Sequence, residues 1–271
     1  MEINAGQLQS YEDSGFLLIP EMFSLEEIAA LRARLPAIRA EDSPRRIMEK
    51  DGTTVRSVYG SHVTEPLFRQ FVRDRRLVRS VELIVKSHVY VHQSKINWKC
   101  SFSGDAWAWH QDYIFWQKED GVSRPDLTTA AVFLDEVNEF NGPISFIRGS
   151  HKQLVIDVEG KQTSHETYRH CPPWISNLTA EIKYSVPDEM VSVLAREREM
   201  SAPKGPPGSV LFFHPNVVHA SASNISPFNR VVVMVTYNSI HNTPKKVDNV
   251  RPDFLCSRDY TALTPQEFTG V

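Results

Sequence analysis

His110 and Asp112 stand two residues apart in Trp109-His110-Gln111-Asp112, and His219 follows 107 residues after Asp112. Two imidazoles and one carboxylate can occupy one face of a non-haem Fe(II) ion and leave the opposite positions open. The His-x-Asp spacing predicts both side chains on one face of a strand, because strand side chains alternate with a period of two. The distal imidazole must come from another strand. His214 and His219 have opposite parity, and His219 lies closer to Arg230, which follows it by 11 residues. A guanidinium there can hold the distal carboxylate of a 2-oxo acid in bidentate fashion.

This layout suits oxidative decarboxylation of a 2-oxo acid with O2, coupled to removal of a hydrogen atom from a bound substrate. Asp112 points to hydroxylation, since Gly or Ala at that position leaves a site for halide. The same three ligands could hold Zn for hydrolysis, but neither an HExxH motif nor a clear general base accompanies them.

The elements that position these residues are legible from patterning. A short apolar strand at 16–19 stops at Pro20. Ser24 and Glu27 make a capping-box pattern, with Phe23 and Ile28 as a staple around it. Leu25, Ile28, Leu31 and Leu35 predict a helix before Pro36. Asp51-Gly52 predicts a hairpin tip. One helix is expected from about 65 to 86, with Pro66 in its first turn. From Val89 the pattern changes to strands. Gln93, Lys95 and Asn97 alternate on one face with Val89 and Val91, a polar file that lines a pocket if the sheet closes into an open barrel. Further strands are expected at 128–134, 144–146, 210–213 and 230–237, separated by Gly and Pro turns. Many short strands after N-terminal helices predict a mainly β fold, a double-stranded β-helix or jelly roll. Residues 153–203 break the strand pattern and read as a lid insertion with a helix near 188–198.

Composition is ordinary. The 271 residues carry 41% hydrophobic and 23% charged side chains with a formal net charge of −3. Nothing in that balance suggests a nucleic-acid or membrane-surface partner. No repeat or linker is visible, so a single domain over 1–271 is expected, as a monomer or homodimer. The N-terminus lacks a basic, then apolar, leader pattern. Cys100, Cys171 and Cys256 are widely spaced and odd in number, which reads as free thiols in a reducing cytoplasm.

At these residues the chain resembles the phytanoyl-CoA dioxygenase superfamily of Fe(II)/2-oxoglutarate oxygenases, over nearly its whole length. The matching segments are RSVYGSH (56–62), YVHQSKINWK (90–99), WAWHQDYIFWQKEDG (107–121), FNGPISFIRGSHK (140–152) and HPNVVHASASNISPFNR (214–230). The resemblance implies that His110, Asp112 and His219 bind Fe(II), and that Arg230, Ser221 and Asn97 hold 2-oxoglutarate. It sets Gln93 near that group and, with Trp116, toward the substrate. His151 would support the site rather than ligate the metal.

Within the superfamily the chain is similar to ectoine hydroxylases and to free-amino-acid hydroxylases, notably leucine hydroxylases, of natural-product pathways. Ectoine hydroxylases carry an Asn two residues after the cosubstrate arginine, where this chain has Val232. An apolar residue there, and EFNGP at 139–143, imply an aliphatic amino acid such as leucine, with proline or ectoine as the alternative. Arg56, Tyr59 and His62 would stand beside the pocket, Arg56 as the candidate for the substrate carboxylate. A non-catalytic small-ligand binding protein on the same scaffold is the remaining alternative.

Overall fold

The computed structural model describes residues 2–153, 155–161 and 165–270. The chain opens with α1 (Ala5–Ser14), whose Asn4 and Gln7 form a reciprocal capping box. β1 (Phe16–Ile19) follows directly. The predicted capping box is present at α2 (Leu25–Ala40): Ser24 N–H donates to Glu27 Oε2 at 2.8 Å, and Glu27 N–H donates to Ser24 Oγ at 3.3 Å. This helix runs through Pro36 rather than ending before it. Proline removes one N–H and crowds the preceding turn. Burial of Ile28, Leu31 and Ile38 along the helix outweighs that local cost.

β2 (Arg46–Met48) and β3 (Val55–Tyr59) form a hairpin. Asp51 shapes its tip by accepting the Thr53 and Thr54 N–H groups. The expected 65–86 helix is interrupted. α3 (Ser61–Thr64), α4 (Pro66–Phe71) and α5 (Arg75–Val85) are separate, and Asp74 caps α5 by accepting the Arg76 N–H. The second carboxylate oxygen of Asp74 accepts the Phe268 N–H. The apolar periodicity runs through this break, but the cap and the distant C-terminal segment impose a new helix start.

The remaining elements are β4 (Val89–Lys99), β5 (Trp107–His110), α6 (Tyr113–Asp120), β6 (Leu127–Phe133), β7 (Ile144–Ile147), α7 (Asp188–Glu197), β8 (Met200–Ser201), β9 (Val210–Phe213), β10 (His219–Ser221) and β11 (Arg230–Ser239). Two antiparallel sheets result. The larger has strand order β1-β9-β6-β11-β4-β3-β2, and the smaller β5-β10-β7-β8. The helices cover the outer face of the larger sheet. Leu31, Phe71, Leu77 and Val81 pack there with Ile96, Val231, Val233 and Val235 in one buried cluster. Each such side chain contributes about 1.5–3 kcal/mol on burial. A second cluster fills the space between the sheets, with Phe133, Leu211, Phe213 and Val232 packed with Ile144 and Phe146. This is the expected jelly-roll layering, with strands 230–239 and 89–99 at its centre.

β4 departs from simple alternation. Thr236 pairs with Gln93 and Tyr237 pairs with Val91, so His92 is the extra residue of a β-bulge. A bulge reverses the face on which later side chains appear. Val89 and Val91 therefore lie in the helix-side cluster with Ile96 and Trp98, while Gln93, Lys95 and Asn97 face the space between the sheets. The expected shared face of all five residues is corrected accordingly.

Candidate active site

β10 pairs with β5, and His219 is the register partner of His110. The two rings lie with centroids 4.1 Å apart. Asp112 is not on the strand, contrary to the alternation argument. β5 ends at His110, and Asp112 has helical backbone angles at the N-terminal boundary of α6. The turn from strand into helix brings its carboxylate back to the imidazoles. His110 Nε2 is 3.5 Å from Asp112 Oδ1, and His219 Nε2 is 3.9 Å from Asp112 Oδ2.

Each imidazole is oriented by a carbonyl two residues earlier. His110 Nδ1 lies 2.7 Å from Ala108 O, and His219 Nδ1 lies 2.9 Å from Val217 O. A carbonyl only accepts, so each Nδ1 carries the proton and each Nε2 presents a lone pair. Burial pushes His219 down to about 4, and the His110 ring adds to the shift. Burial works to raise the Asp112 carboxyl, but His219 and His110 outweigh it and hold it well below the usual carboxylate range. Both directions favour the deprotonated forms that metal binding requires. One ligand atom from each of the three residues can be chosen so that all lie within 4.8 Å of one another, a donor set that fits Fe(II).

Two adjoining cavities share a wall made by Lys95, Trp107, His110, Asp112 and Met234. The first is closed by Asn97, Ile144, His219, Ser221 and Arg230. Arg230 begins β11, and its guanidinium is buried. Nη2 reaches Asn97 Oδ1 at 3.5 Å, while Nε and Nη1 have no partner among the described residues. Leaving buried donors unpaired costs about 1–3 kcal/mol. Such a guanidinium fits an anionic ligand with two oxygens to offer.

The second cavity is lined by Tyr59, Gln93, Phe115, Trp116, Met234 and Arg251, among others. Thr129 and Thr236 also line it, with their hydroxyls bonded to each other at 2.9 Å. The 153–203 segment reaches this space through Asn177, Leu178 and Ile182. Tyr168, Ile175 and Leu178 anchor that segment in a buried cluster with Ile47, Tyr59 and Leu255.

Several expected residues stand elsewhere. Gln93 lines the second cavity rather than the Arg230 cavity, and its Nε2 donates to Leu255 O at 2.7 Å. Arg56 is the bulged residue of β3, since Ile47 pairs with Ser57 and Met48 with Val55. Its Nη1 is bound to Glu49 Oε2 at 2.7 Å, and its guanidinium lies 3.9 Å from the Trp107 ring centroid. Arg56 is therefore committed to a buried ion pair behind Trp107. His62 bonds through Nδ1 to Ser94 Oγ at 2.6 Å, and Ser94 pairs with Val235 on the helix side of the sheet. Val232 is fully buried in the inter-sheet cluster, where it packs with Ile144, Phe213 and Met234 of the Arg230 cavity wall but does not itself line either cavity. The argument for leucine from this position therefore loses its structural basis. His214 packs against His151 and Tyr11, away from the triad, and His151 Nε2 meets Glu12 O at 3.0 Å.

Sequence reading missed Arg251. Asp120 holds it at 2.8 Å through Nε and 2.7 Å through Nη2. His92 Nε2 is 3.1 Å from the same carboxylate and packs edge-on to Trp116. Burial opposes the Asp120 charge, and Arg251 outweighs it, bringing the carboxyl down to about 2. Arg251 lies in a segment without periodic pattern, so no local signal marks it. Lys95 and Met234 were legible only as positions on alternating strands.

Residues 11–232 match the model of the phytanoyl-CoA dioxygenase (PhyH) family. The chain is 37% identical over 258 residues to the L-proline trans-4-hydroxylase of Streptomyces griseoviridis, covering 94% of this chain and 93% of that one. It is 38% identical over 275 residues to the ectoine dioxygenase of Bordetella bronchiseptica, covering 97% and 85% respectively. The crystal structure of EctD from S. alaskensis with 2-oxoglutarate and 5-hydroxyectoine superposes with a TM-score of 0.84 at 28% identity, over 99% of this chain and 89% of that one. The chain belongs to the phytanoyl-CoA dioxygenase (PhyH) family. It is a non-haem dioxygenase that uses Fe(II) and 2-oxoglutarate. Among the described residues, no helix is long and apolar enough to cross a membrane.

Proposed function

We propose that this dioxygenase hydroxylates an unactivated C–H bond of a small free amino acid, with a proline-type ring first, ectoine second and leucine third. The observation that carries this reading is the pair of cavities meeting at the His110–Asp112 wall, one lined by Arg230 and the other by Arg251. A cosubstrate and a substrate, each with a carboxylate, suit one guanidinium in each cavity. The named activities of the proline and ectoine relatives support the ring preference.

In this reading His110, Asp112 and His219 hold Fe(II). Bound iron with 2-oxoglutarate and O2 supplies the oxidising power for C–H hydroxylation. Arg230 takes the far carboxylate of 2-oxoglutarate through Nε and Nη1, with Asn97 and Ser221 beside it. Arg251 takes the substrate carboxylate, and Asp120 fixes the guanidinium so that the carboxylate meets a set geometry. Trp116, Phe115, Tyr59 and Met234 exclude water and confine an apolar ring near the shared wall. The 153–203 segment covers the substrate as a lid.

The test is succinate formation with Fe(II), ascorbate and 2-oxoglutarate across L-proline, L-pipecolate, L-leucine and ectoine, with products read by mass. A product heavier by one oxygen from L-proline or L-pipecolate is expected. Hydroxylation of leucine alone would overturn the ring preference. No succinate above background with any of them, from iron-loaded protein, would overturn the small free amino acid as the substrate.

A further inference from the structure

We infer that Asn177 receives the protonated amine of the substrate and thereby sets the enzyme's preference for amino acids over plain carboxylic acids. The inference rests on the amino-acid reading above. Asn177 ends a 3-10 turn at Pro173–Asn177 within the insertion, not on the sheets that carry the metal ligands. It is 5% exposed and lines the substrate cavity with Gln93, Trp116 and Arg251. Both its amide oxygen and its amide nitrogen are buried without a partner among the described residues. A buried primary amide normally satisfies both ends within the protein. One that satisfies neither, at a cavity wall, is placed for a ligand that supplies the missing bonds.

The surrounding charges say which ligand group this is. An amino acid brings a cationic amine as well as a carboxylate, and the amine needs acceptors. Asp112 is the only acidic residue lining this cavity among the described residues, and it faces the two imidazoles. The nearby carboxylates are engaged: Glu119 with Lys183 and Tyr184, Asp120 with Arg251 and His92, and Glu49 with Arg56. The amine must therefore be met by neutral oxygens. The Thr129 and Thr236 hydroxyls bond to each other. Gln93 donates its nitrogen to Leu255 O, which leaves its amide oxygen for the cavity. Asn177 lines the same cavity from the insertion, so its amide oxygen and that of Gln93 are the neutral acceptors assigned to the amine. Only an N–H-bearing substrate satisfies both, and an isosteric carbon leaves them unpaired.

The test compares L-proline with cyclopentanecarboxylate, its carbocyclic analogue, in the wild type, Asn177→Leu and Asn177→Asp, with thermal unfolding recorded for each. Asn177→Leu should lower kcat/KM for proline by about 10- to 100-fold while leaving the analogue and the KM for 2-oxoglutarate unchanged. Asn177→Asp, which keeps an acceptor, should restore most of the preference for the amine. Equal losses on both compounds, or no loss on proline, would overturn the assignment. If wild type accepts another amino acid of the panel and not proline, the same comparison uses that compound and its desamino form. If wild type accepts none, the amino-acid reading fails first and this assignment falls with it.

Discussion

Arg230 and Lys99 face each other as register partners on β11 and β4, two buried basic side chains with opposite hydrogen-bonding states. Lys99 Nζ donates to the carbonyls of Asp105 and Ala222, whereas Arg230 Nε and Nη1 have no partner among the described residues. Burial, then the Arg230 and Arg56 guanidinium groups, pushes the Lys99 amine down to about 6. Lys99 thus has both its hydrogen bonds spent as a strut between two loops. Arg230 is left as the cation awaiting an anion.

A saturating dose of 2-oxoglutarate should therefore stabilise the fold. At one hundred times its Kd, a ligand bound only by the folded state adds about 2.7 kcal/mol. Thermal unfolding with and without 2-oxoglutarate should show a rise in Tm for wild type that is absent in Arg230→Met. An equal rise in the variant would place the cosubstrate elsewhere.

Asp112→Ala should abolish hydroxylation and reduce the iron retained after desalting, because it removes the carboxylate that faces both imidazoles. Full activity with a full complement of iron would remove Asp112 from the ligand set.

Val232→Ala should cost about 2 kcal/mol of stability, the scale of deleting buried methyl groups from a packed core. Substrate preference should change little. Val232→Asn should bury an amide without a partner and destabilise further, not convert the enzyme to ectoine. A clean switch of substrate in a stable Asn variant would show that this position reaches the pocket after all.

Asp120→Asn should destabilise by about 3–5 kcal/mol, the scale for removing one partner from a buried ion pair. It should also raise the KM for the amino acid without raising that for 2-oxoglutarate. Chemical denaturation and steady-state kinetics read the two effects separately. A matched rise in both KM values would argue for general disruption instead.

Burial pushes the His214 imidazole down to about 3 from an ordinary value of 6.5. Between those values the unfolded chain binds the extra proton, so stability falls as the solution becomes more acidic. The contribution is complete above the ordinary histidine value and is lost as pH falls through about 3. His214→Asn keeps an acceptor for the Asn216 N–H. Its plot of Tm against pH should be flatter on the acid side than that of wild type. An unchanged slope would mean that other groups carry the acid sensitivity.

Most of the strands, the Ser24-capped helix and the three metal-ligand candidates were legible because each leaves a local signal: alternation, a capping box, a short spacing. Arg230 was legible from its distance to His219. What stayed hidden depends on long-range geometry. The Asp74 cap splits a helix whose periodicity runs on unbroken. Arg56 is turned by a bulge toward Glu49, and Arg251 arrives from an irregular segment. Asn177 shows its meaning only once both ends of its amide are seen to lack partners among the described residues. Val232 shares strand parity with Arg230 and Met234, and only packing tells that it lies in the floor beneath them.

The extra residue at His92 acts as a phase shift within one strand. Before it, odd-numbered positions belong to the helix-packed layer and must be greasy. After it, odd-numbered positions belong to the cavity and can carry an amide or an amine. A comparison that matches related chains by alternation alone would assign Gln93, Lys95 and Asn97 to the wrong side. Flattening the bulge, so that His92 paired in regular alternation, would exchange the two sides for half the strand, sending the polar file into the helices and Ile96 and Trp98 into the cavity.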